Sequence, residues 1–367
     1  MRPIGILYEH PEWFKLLFAE LERRGAPYEP IFAAAHAFDP ARREVPYSLV
    51  VNRVSPSSYL RDHAGSILYA RQVLAYLRDL GVPVVNGYDA FTLETSKALQ
   101  LLLLERLGLP YPRARVFNHP SRLVEAASGL PYPLIVKPNI GGSGALMRRL
   151  ETPDDLRALA AAGGLDLGVD NTALVQEYLA PAGGTIVRVE VLDGEFLYAI
   201  KIHTDPTEGF NLCPADICQV DGSPDGAETP TAAPTDGAAC DFGAGAVATA
   251  GAVGTIRATG TAGGAPAPKR ALQIEAYTPP AEIVAQAIRL VRAGGLDVGG
   301  VEYLVAERDG RHYFYDVNAL SNFVTDAPTL LGFDPTARFV DYLLERARVG
   351  ERSAERSYSA RVSAFGG

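Results

Sequence analysis

Residues 300–318, Gly300-Val-Glu302-Tyr-Leu-Val-Ala-Glu-Arg-Asp309-Gly310-Arg-His-Tyr313-Phe-Tyr-Asp316-Val-Asn318, read as two apolar strands joined at an Asp-Gly turn. Asp316 and Asn318 stand two apart on a strand and so share a face. Glu302 joins them only if paired positions sum to an even number, such as 302 opposite 318, which takes an odd loop or a bulge. A strict two-residue hairpin pairs 302 with 317 and turns Glu302 away. Two carboxylates and an amide oxygen on one face make a hard, oxygen-rich site suited to Mg²⁺ that also holds nucleotide phosphates. An acid inside an apolar strand needs a partner, which favours a functional role for Asp316 and Asn318.

The stretches around this hairpin predict an antiparallel module. Strand signals fall at 185–192, 195–203, 273–277, 301–307 and 311–317, with a second turn at Asp193-Gly194. Helices are expected over 280–293 and 336–346. Upstream, 92–107 reads as one helix that starts near Thr92 or Thr95 and stops at Gly108 and Pro110. Strands at 115–118, 134–137 and 173–178, a glycine loop at 141–144 and a helix at 152–162 form a small α+β module. Residues 1–90 alternate strands (4–8, 28–32, 47–54, 82–86) with helices (11–24, 66–80), which predicts a parallel α/β unit. Its strand ends present His10, Asn52 and Arg53, where open α/β sheets bind ligands.

The expected chain is therefore of mixed α/β and α+β class and multidomain, divided at 1–90, 91–183 and 184–350, with a tail at 351–367. Residues 221–268 break the pattern. Of these 48 residues 37 are Ala, Gly, Thr, Pro or Ser, too few large apolar groups for a core, so the segment reads as a flexible low-complexity insertion. Gly243-Ala-Gly245-Ala-Val-Ala248 inside it matches a loose dinucleotide fingerprint, but it lacks the preceding strand and reads as chance.

Composition narrows the function. Lys and Arg total 34 against 43 Asp and Glu, a net charge of -9, which offers no basic footprint for non-specific nucleic-acid binding. No apolar run is long enough for a membrane span, and the first residues lack the pattern of a secretory signal. Cys213, Cys218 and Cys240 suit neither a disulfide framework nor a zinc site and read as free thiols in a cytoplasmic protein. Lysine is scarce: Lys15, Lys97, Lys137, Lys201 and Lys269 stand among 34 basic residues. In a chain that uses Arg for ordinary surface charge, a Lys marks a place where a compact point charge is wanted, for example against a phosphate.

Lys137 ends an apolar strand, and Gly141-Gly142-Ser143-Gly144 follows. Backbone N–H groups of a glycine turn can close on phosphate oxygens, although a plain hairpin turn explains the same glycines. The spacing is not that of a Walker A loop. Leu174-Val-Gln176-Glu177-Tyr178-Leu179 runs from an apolar strand into acid and amide groups. Such an edge can serve a purine, or be an ordinary edge strand.

Taken in order, Lys97 on a helix, Leu134-Ile-Val-Lys137-Pro with its glycine loop, Val175-Gln-Glu-Tyr-Leu179 and Asp316-Val-Asn318 resemble the ATP-grasp superfamily, in its glutathione synthetase and α-L-glutamate ligase branch. The resemblance covers residues 87–344 apart from the insertion. It implies an N-terminal parallel α/β domain followed by a two-part ATP-grasp fold, and ATP and Mg²⁺ as cofactors. Lys97, Lys137, Gly142, Ser143 and Gly144 would meet the phosphates, the glycine loop acting as a mobile flap. Gln176, Glu177, Tyr178 and Leu179 would line the adenine pocket, and Glu302, Asp316 and Asn318 would hold the metal. Arg188 matches the strand Arg that lies near the transferred phosphoryl group, Lys201 stands where relatives often carry Arg, and Arg53 and Asn211 fall to the substrate. Three positions depart from the pattern. Ile186 replaces the usual Asp two residues before the strand Arg, which leaves the ribose-binding acid open. Glu302 and Asp316 exchange the commoner order of Asp and Glu, which either conserves the site or alters metal geometry.

The implied reaction is carboxylate-amine ligation through an acyl phosphate, with release of ADP and phosphate. Another phosphoryl transfer on the same site, or a nucleotide-binding regulatory module, stays open. The implied partners are small-molecule or peptide carboxylates and amines, without nucleic acid or membrane. A homo-oligomer is compatible with these.

Overall fold

The computed structural model describes residues 2–10, 12–142, 144–204 and 272–365, with side chains as far as residue 351. Ser143, Phe210, Asn211, the three cysteines, Lys269 and the 221–268 insertion lie outside the described residues.

The first sheet is parallel, in the order β2-β1-β3-β4, from β1 (Ile4–Tyr8), β2 (Tyr28–Phe32), β3 (Leu49–Arg53) and β4 (Val84–Val85). Every residue of β3 is buried, as in a sheet covered on both faces. Alternate side chains feed two cores. Ile4, Ile6, Leu49 and Val51 pack with Leu17 and Leu21 of α1 (Lys15–Arg23), whereas Leu7 and Val50 pack with Ile67, Ala70 and Leu74 of α2 (Ala64–Asp79). The α1 side also receives Val340, Leu343 and Ala347 from the last helix, Pro335–Phe365. Residues 1–90 thus do not close their own core: the C-terminal helix, longer than the expected 336–346, returns to cover one face.

The stretch 92–107 is two helices, α3 (Tyr88–Glu94) and α4 (Lys97–Arg106). Ser96 is extended (φ -155°, ψ 101°), and its hydroxyl accepts the Leu99 N–H at 3.2 Å. The Thr95 hydroxyl donates back to the Phe91 carbonyl at 2.7 Å. Adjacent hydroxyl residues compete with the helical backbone, so they end one helix and cap the next. Lys97 therefore opens α4 rather than riding in mid-helix.

The second sheet is antiparallel, in the order β5-β8-β6-β7, from β5 (Ala114–Phe117), β6 (Leu134–Pro138), β7 (Arg148–Leu150) and β8 (Ala173–Glu177). Leu134, Val136 and Val175 pack against Leu123 of α5 (Leu123–Ala126) and Leu156 of α6 (Pro153–Ala162). Thr152 and Asp155 cap α6 reciprocally. The opposite face carries Ile135, Lys137 and Gln176.

The third sheet is antiparallel, in the order β11-β10-β9-β12-β13, from β9 (Pro181–Leu192), β10 (Glu195–His203), β11 (Ile274–Ala276), β12 (Val298–Ala306) and β13 (His312–Asn318). Val187, Val189, Val301 and Phe314 pack with Leu103 and Leu104 of α4 and with Ala287 and Leu290 of α7 (Ala281–Ala293). The short α8 (Ala327–Leu331) precedes the terminal helix, α9. The β12–β13 ladder contains a bulge: Tyr303 pairs with Phe314, but Glu302 pairs with Asp316 and Gly300 with Asn318. The extra residue changes the pairing sum from odd to even, so Glu302 faces the same way as Asp316 and Asn318, with 302 opposite 316 rather than 318. Among the described residues no helix is long and apolar enough to cross a membrane.

Candidate active site

A cavity of about 330 Å³ lies where the three sheets approach one another. The second sheet contributes Ile135, Lys137 and Gln176, and the loop after β6 adds Gly141, Gly142 and Gly144. Arg188, Glu302, Asp316 and Asn318 come from the third sheet, and Trp13, Ser55 and Ser57 from the segments that follow β1 and β3 of the first.

The two lysines are brought together by a residue between them in space, Asn139, which follows the Lys137-Pro138 end of β6. Its backbone carbonyl accepts the Lys97 N–H at 3.2 Å, and its side-chain oxygen accepts the Ala98 N–H at 2.9 Å. Two orphan donors of the α4 first turn are thereby satisfied, and the helix start is tied to the strand end. Lys97 Nζ lies 2.5 Å from Asp316 Oδ1. Burial depresses the Lys97 ammonium, but the Asp316 carboxylate outweighs it and the pKa is raised. Lys137 is only 6% exposed, and among the described residues no acid lies within ion-pair distance of it. Burial, reinforced by the Lys97 charge, pushes its pKa down to about 7.

On the third sheet, register produces a grid of polar groups on one face, of which Arg188, Glu302, Asp316 and Asn318 line the cavity. Glu302 pairs with Arg188 on one side and Asp316 on the other; Gly300 pairs with Glu190 and Asn318. Arg188 donates to Glu190 Oε1 at 2.6 Å and to Glu302 Oε1 at 3.0 Å. Burial opposes its charge, but the two carboxylates hold its pKa raised. Burial and the nearby Asp316 raise that of Glu302. Among the described residues no cluster of three or more His, Cys, Asp or Glu side chains suits a metal ion. The two carboxylates with the Asn318 amide nevertheless fit Mg²⁺, which binds through one or two carboxylates and completes its shell with phosphate oxygens. Lys97 is bonded to Asp316 through Oδ1, and Arg188 to Glu302 through Oε1.

The other end of the cavity is more apolar, with Ile135, Met147, Leu179, Ile186 and Leu304. Gln176 reaches it with Oε1 buried and, among the described residues, without a hydrogen-bond partner, an acceptor that a ligand donor would satisfy. Tyr178 lines the wall, with the Arg149 guanidinium 4.1 Å from its ring centroid. Glu177 points the other way, as strand alternation demands. Its carboxylate accepts from Arg308 Nη1 and from the Arg113 backbone N–H, each at 2.8 Å, and it does not line the cavity.

Two other expected residues are not brought in. Lys201 pairs with Val187, on the sheet face opposite Arg188, and its ammonium sits 3.6 Å from Glu275 and 4.2 Å from the Tyr277 ring centroid. Arg53 is 4% exposed and lies 5.1 Å and 5.5 Å from the rings of Phe14 and Phe339. It donates to the Ser321 carbonyl and is absent from the cavity wall. Conversely, Glu94, Asn139 and Glu190 were missed. Glu94 lines the cavity and accepts the Ala319 N–H, and burial pushes its carboxyl up to about 7. Only Glu190 carried a sequence signal: two residues beyond Arg188 on a strand, it shares its face.

No family model matches the chain. A probable alpha-L-glutamate ligase of Teredinibacter turnerae is 29% identical over 139 residues, 38% of this chain and 45% of the relative. A D-alanine--D-alanine ligase of Hydrogenovibrio crunogenus is 33% identical over 135 residues, 36% of this chain and 41% of the relative. The chain thus spans less than half the length of these curated relatives. The solved ATP-grasp ligase PsnB, complexed with minimal precursor, superposes with a TM-score of 0.57 at 20% identity, over 94% of this chain and all of that one. The chain has the ATP-grasp fold. Within that fold, the cavity between the second and third sheets holds both lysines, Arg188 and the carboxylate face of the β12–β13 hairpin.

Proposed function

We propose that the chain is an ATP-dependent carboxylate-amine ligase that forms an amide or peptide bond through an acyl phosphate. The observation that carries this is Lys137, a buried amine facing the cavity with no acid partner among the described residues, converging with Lys97, Arg188 and a two-carboxylate face. Such a set suits a polyanion with its own divalent cation. Alpha-L-glutamate ligase and D-alanine--D-alanine ligase among the relatives support the same reaction class.

In this reading the adenine lies at the apolar end, its amine donating to Gln176 Oε1 between Ile135, Tyr178, Leu179 and Leu304. Lys97 and Lys137 supply positive charge to the phosphates, while the backbone at Gly142 and Gly144 closes over them. Mg²⁺, held by Glu302, Asp316 and Asn318 with phosphate oxygens, would withdraw charge from the transferring group. The substrate carboxylate attacks the γ-phosphoryl group beside Arg188 and ADP leaves, and an amine then displaces phosphate from the acyl carbon. Trp13, Ser55 and Ser57, at the carboxyl end of the first sheet, form the wall nearest the substrates, and the closed loop keeps water from the acyl phosphate. Residues 1–90, 91–183 and 184–350 correspond to the preceding domain, the flap domain and the C-terminal domain, with α9 shared back to the first. A cytoplasmic location belongs to the same proposal. So do peptide substrates, for which the PsnB complex with a minimal precursor is the support.

Lys137→Ala and Asp316→Ala are expected to abolish amino-acid-dependent ADP release from MgATP while leaving the circular dichroism of the folded chain intact. Wild-type turnover in either variant would sink the assignment.

A further inference from the structure

Arg188 is oriented by more than the pair it makes across the sheet. Its Nη1 donates to Glu302 Oε1 at 3.0 Å, but Glu302 is also a proposed metal ligand, so that partner is shared. The second anchor is Glu190, which takes Nε at 2.6 Å on the same strand. Glu190 is 1% exposed, does not line the cavity, and its Oε2 has no hydrogen-bond partner among the described residues. A carboxylate buried with one oxygen unsatisfied is costly, and the contact that offsets the cost here is its bond to the Arg188 guanidinium.

Gly300 supplies an independent observation. It pairs with Glu190 in register, and a Cβ added there would sit 2.5 Å from Arg188 Nη2 and 2.6 Å from both Cζ and Nε. The guanidinium thus lies against the bare strand backbone. Gly300 is not among the positive-φ glycines, so this close approach, rather than backbone conformation, calls for a residue without a side chain.

We propose that Glu190 and Gly300 are positioning residues that fix the plane of the Arg188 guanidinium for phosphoryl transfer, Glu190 by anchoring Nε and Gly300 by clearing the space it occupies. The proposal rests on the ligase reading. It explains how Arg188 keeps one fixed partner when Glu302 engages a metal. A misplaced catalytic group can cost about 10²-fold in rate without weakening nucleotide binding.

The test uses the full chain with MgATP and a panel of the twenty amino acids. Glu190→Gln and Gly300→Ala are each expected to lower kcat about 10²-fold while KM for MgATP stays within about twofold. Glu190→Asp should recover part of the loss. Neither substitution should lower turnover further in an Arg188→Ala background, because both act through that side chain. In ¹⁵N-arginine-labelled protein, the Nε–H resonance of Arg188 should be protected in the wild type and lost in both variants. If Glu190→Gln fails to fold, Gly300→Ala, which changes no charge, still decides. Wild-type kcat and an unchanged resonance in Gly300→Ala would overturn the proposal, as would losses that multiply with Arg188→Ala. A wild-type chain that turns over no MgATP with the panel overturns the ligase reading and the kinetic half of this proposal. The resonance then still decides whether Glu190 and Gly300 hold the guanidinium.

Discussion

Nucleotide binding should take up a proton at Lys137, and pH is the perturbation that reveals it. Burial and the neighbouring Lys97 lower its pKa from 10.5 to about 7. At pH 8 the free protein then carries the Lys137 charge in about one molecule in ten. Phosphates brought against the ammonium favour the charged form and restore a high pKa. MgATP binding at pH 8 should therefore capture about 0.9 proton, and recharging Lys137 should cost the binding about 1.4 kcal/mol. Affinity falls about tenfold per pH unit as pH rises above the free-state pKa. The sign for stability is opposite. The unfolded chain binds more protons than the folded one between the folded and unfolded pKa values, so the Lys137 contribution to stability rises with pH from about 7 to about 10. The assay is isothermal titration calorimetry at pH 8 in buffers of different ionisation enthalpy, whose slope counts protons. Lys137→Met should remove the uptake. Glu94→Gln should retain it, which separates Lys137 from the buried carboxyl that also titrates near 7. A buffer-independent enthalpy, or an undiminished slope in Lys137→Met, would refute the reasoning.

Other outcomes follow from packing and register. Lys201→Ala should leave turnover within about twofold of wild type and stability nearly unchanged, because among the described residues its only ion pair is with half-exposed Glu275 at 3.6 Å; a large loss of turnover would restore its catalytic role. Phe314→Ala, at a fully buried site on β13 whose side chain packs with α4 and α7, should cost about 3–5 kcal/mol in urea unfolding. At Gly142 a Cβ would come within 2.9 Å of Ser57 Cβ, so Gly142→Ala should hold this loop off the segment that follows β3. The ratio of phosphate released to amide formed should rise above the wild-type value.

The elements that were legible in the sequence are those whose signals are local. The Glu195–His203 strand and the α6 helix lie within a residue of the expected 195–203 and 152–162, and the even register condition on Glu302 is met once the bulge is counted. Facing was harder to read. Lys201 was placed in the site by resemblance, but its face depends on its pairing with Val187, a long-range fact. Glu177 follows the same rule, since alternation sends Gln176 and Glu177 to opposite sides of one strand. Arg53 lies at a strand end, where ligands are expected, yet Phe14, Phe339 and the Ser321 carbonyl claim its guanidinium. The closing role of α9 on the first sheet could not be read locally, because a helix about 300 residues away supplies the missing face. Asn139 left no signal either, since its work is to accept two N–H groups from a helix forty residues upstream.

The most direct measurement is isotopic. The chain is incubated with MgATP and amino acids whose carboxylates carry ¹⁸O, and the released phosphate is analysed by mass spectrometry. Ligation through an acyl phosphate predicts ADP as the nucleotide product and one carboxylate ¹⁸O transferred to each phosphate formed with amide. Phosphate free of ¹⁸O, or AMP and pyrophosphate in place of ADP, would contradict it.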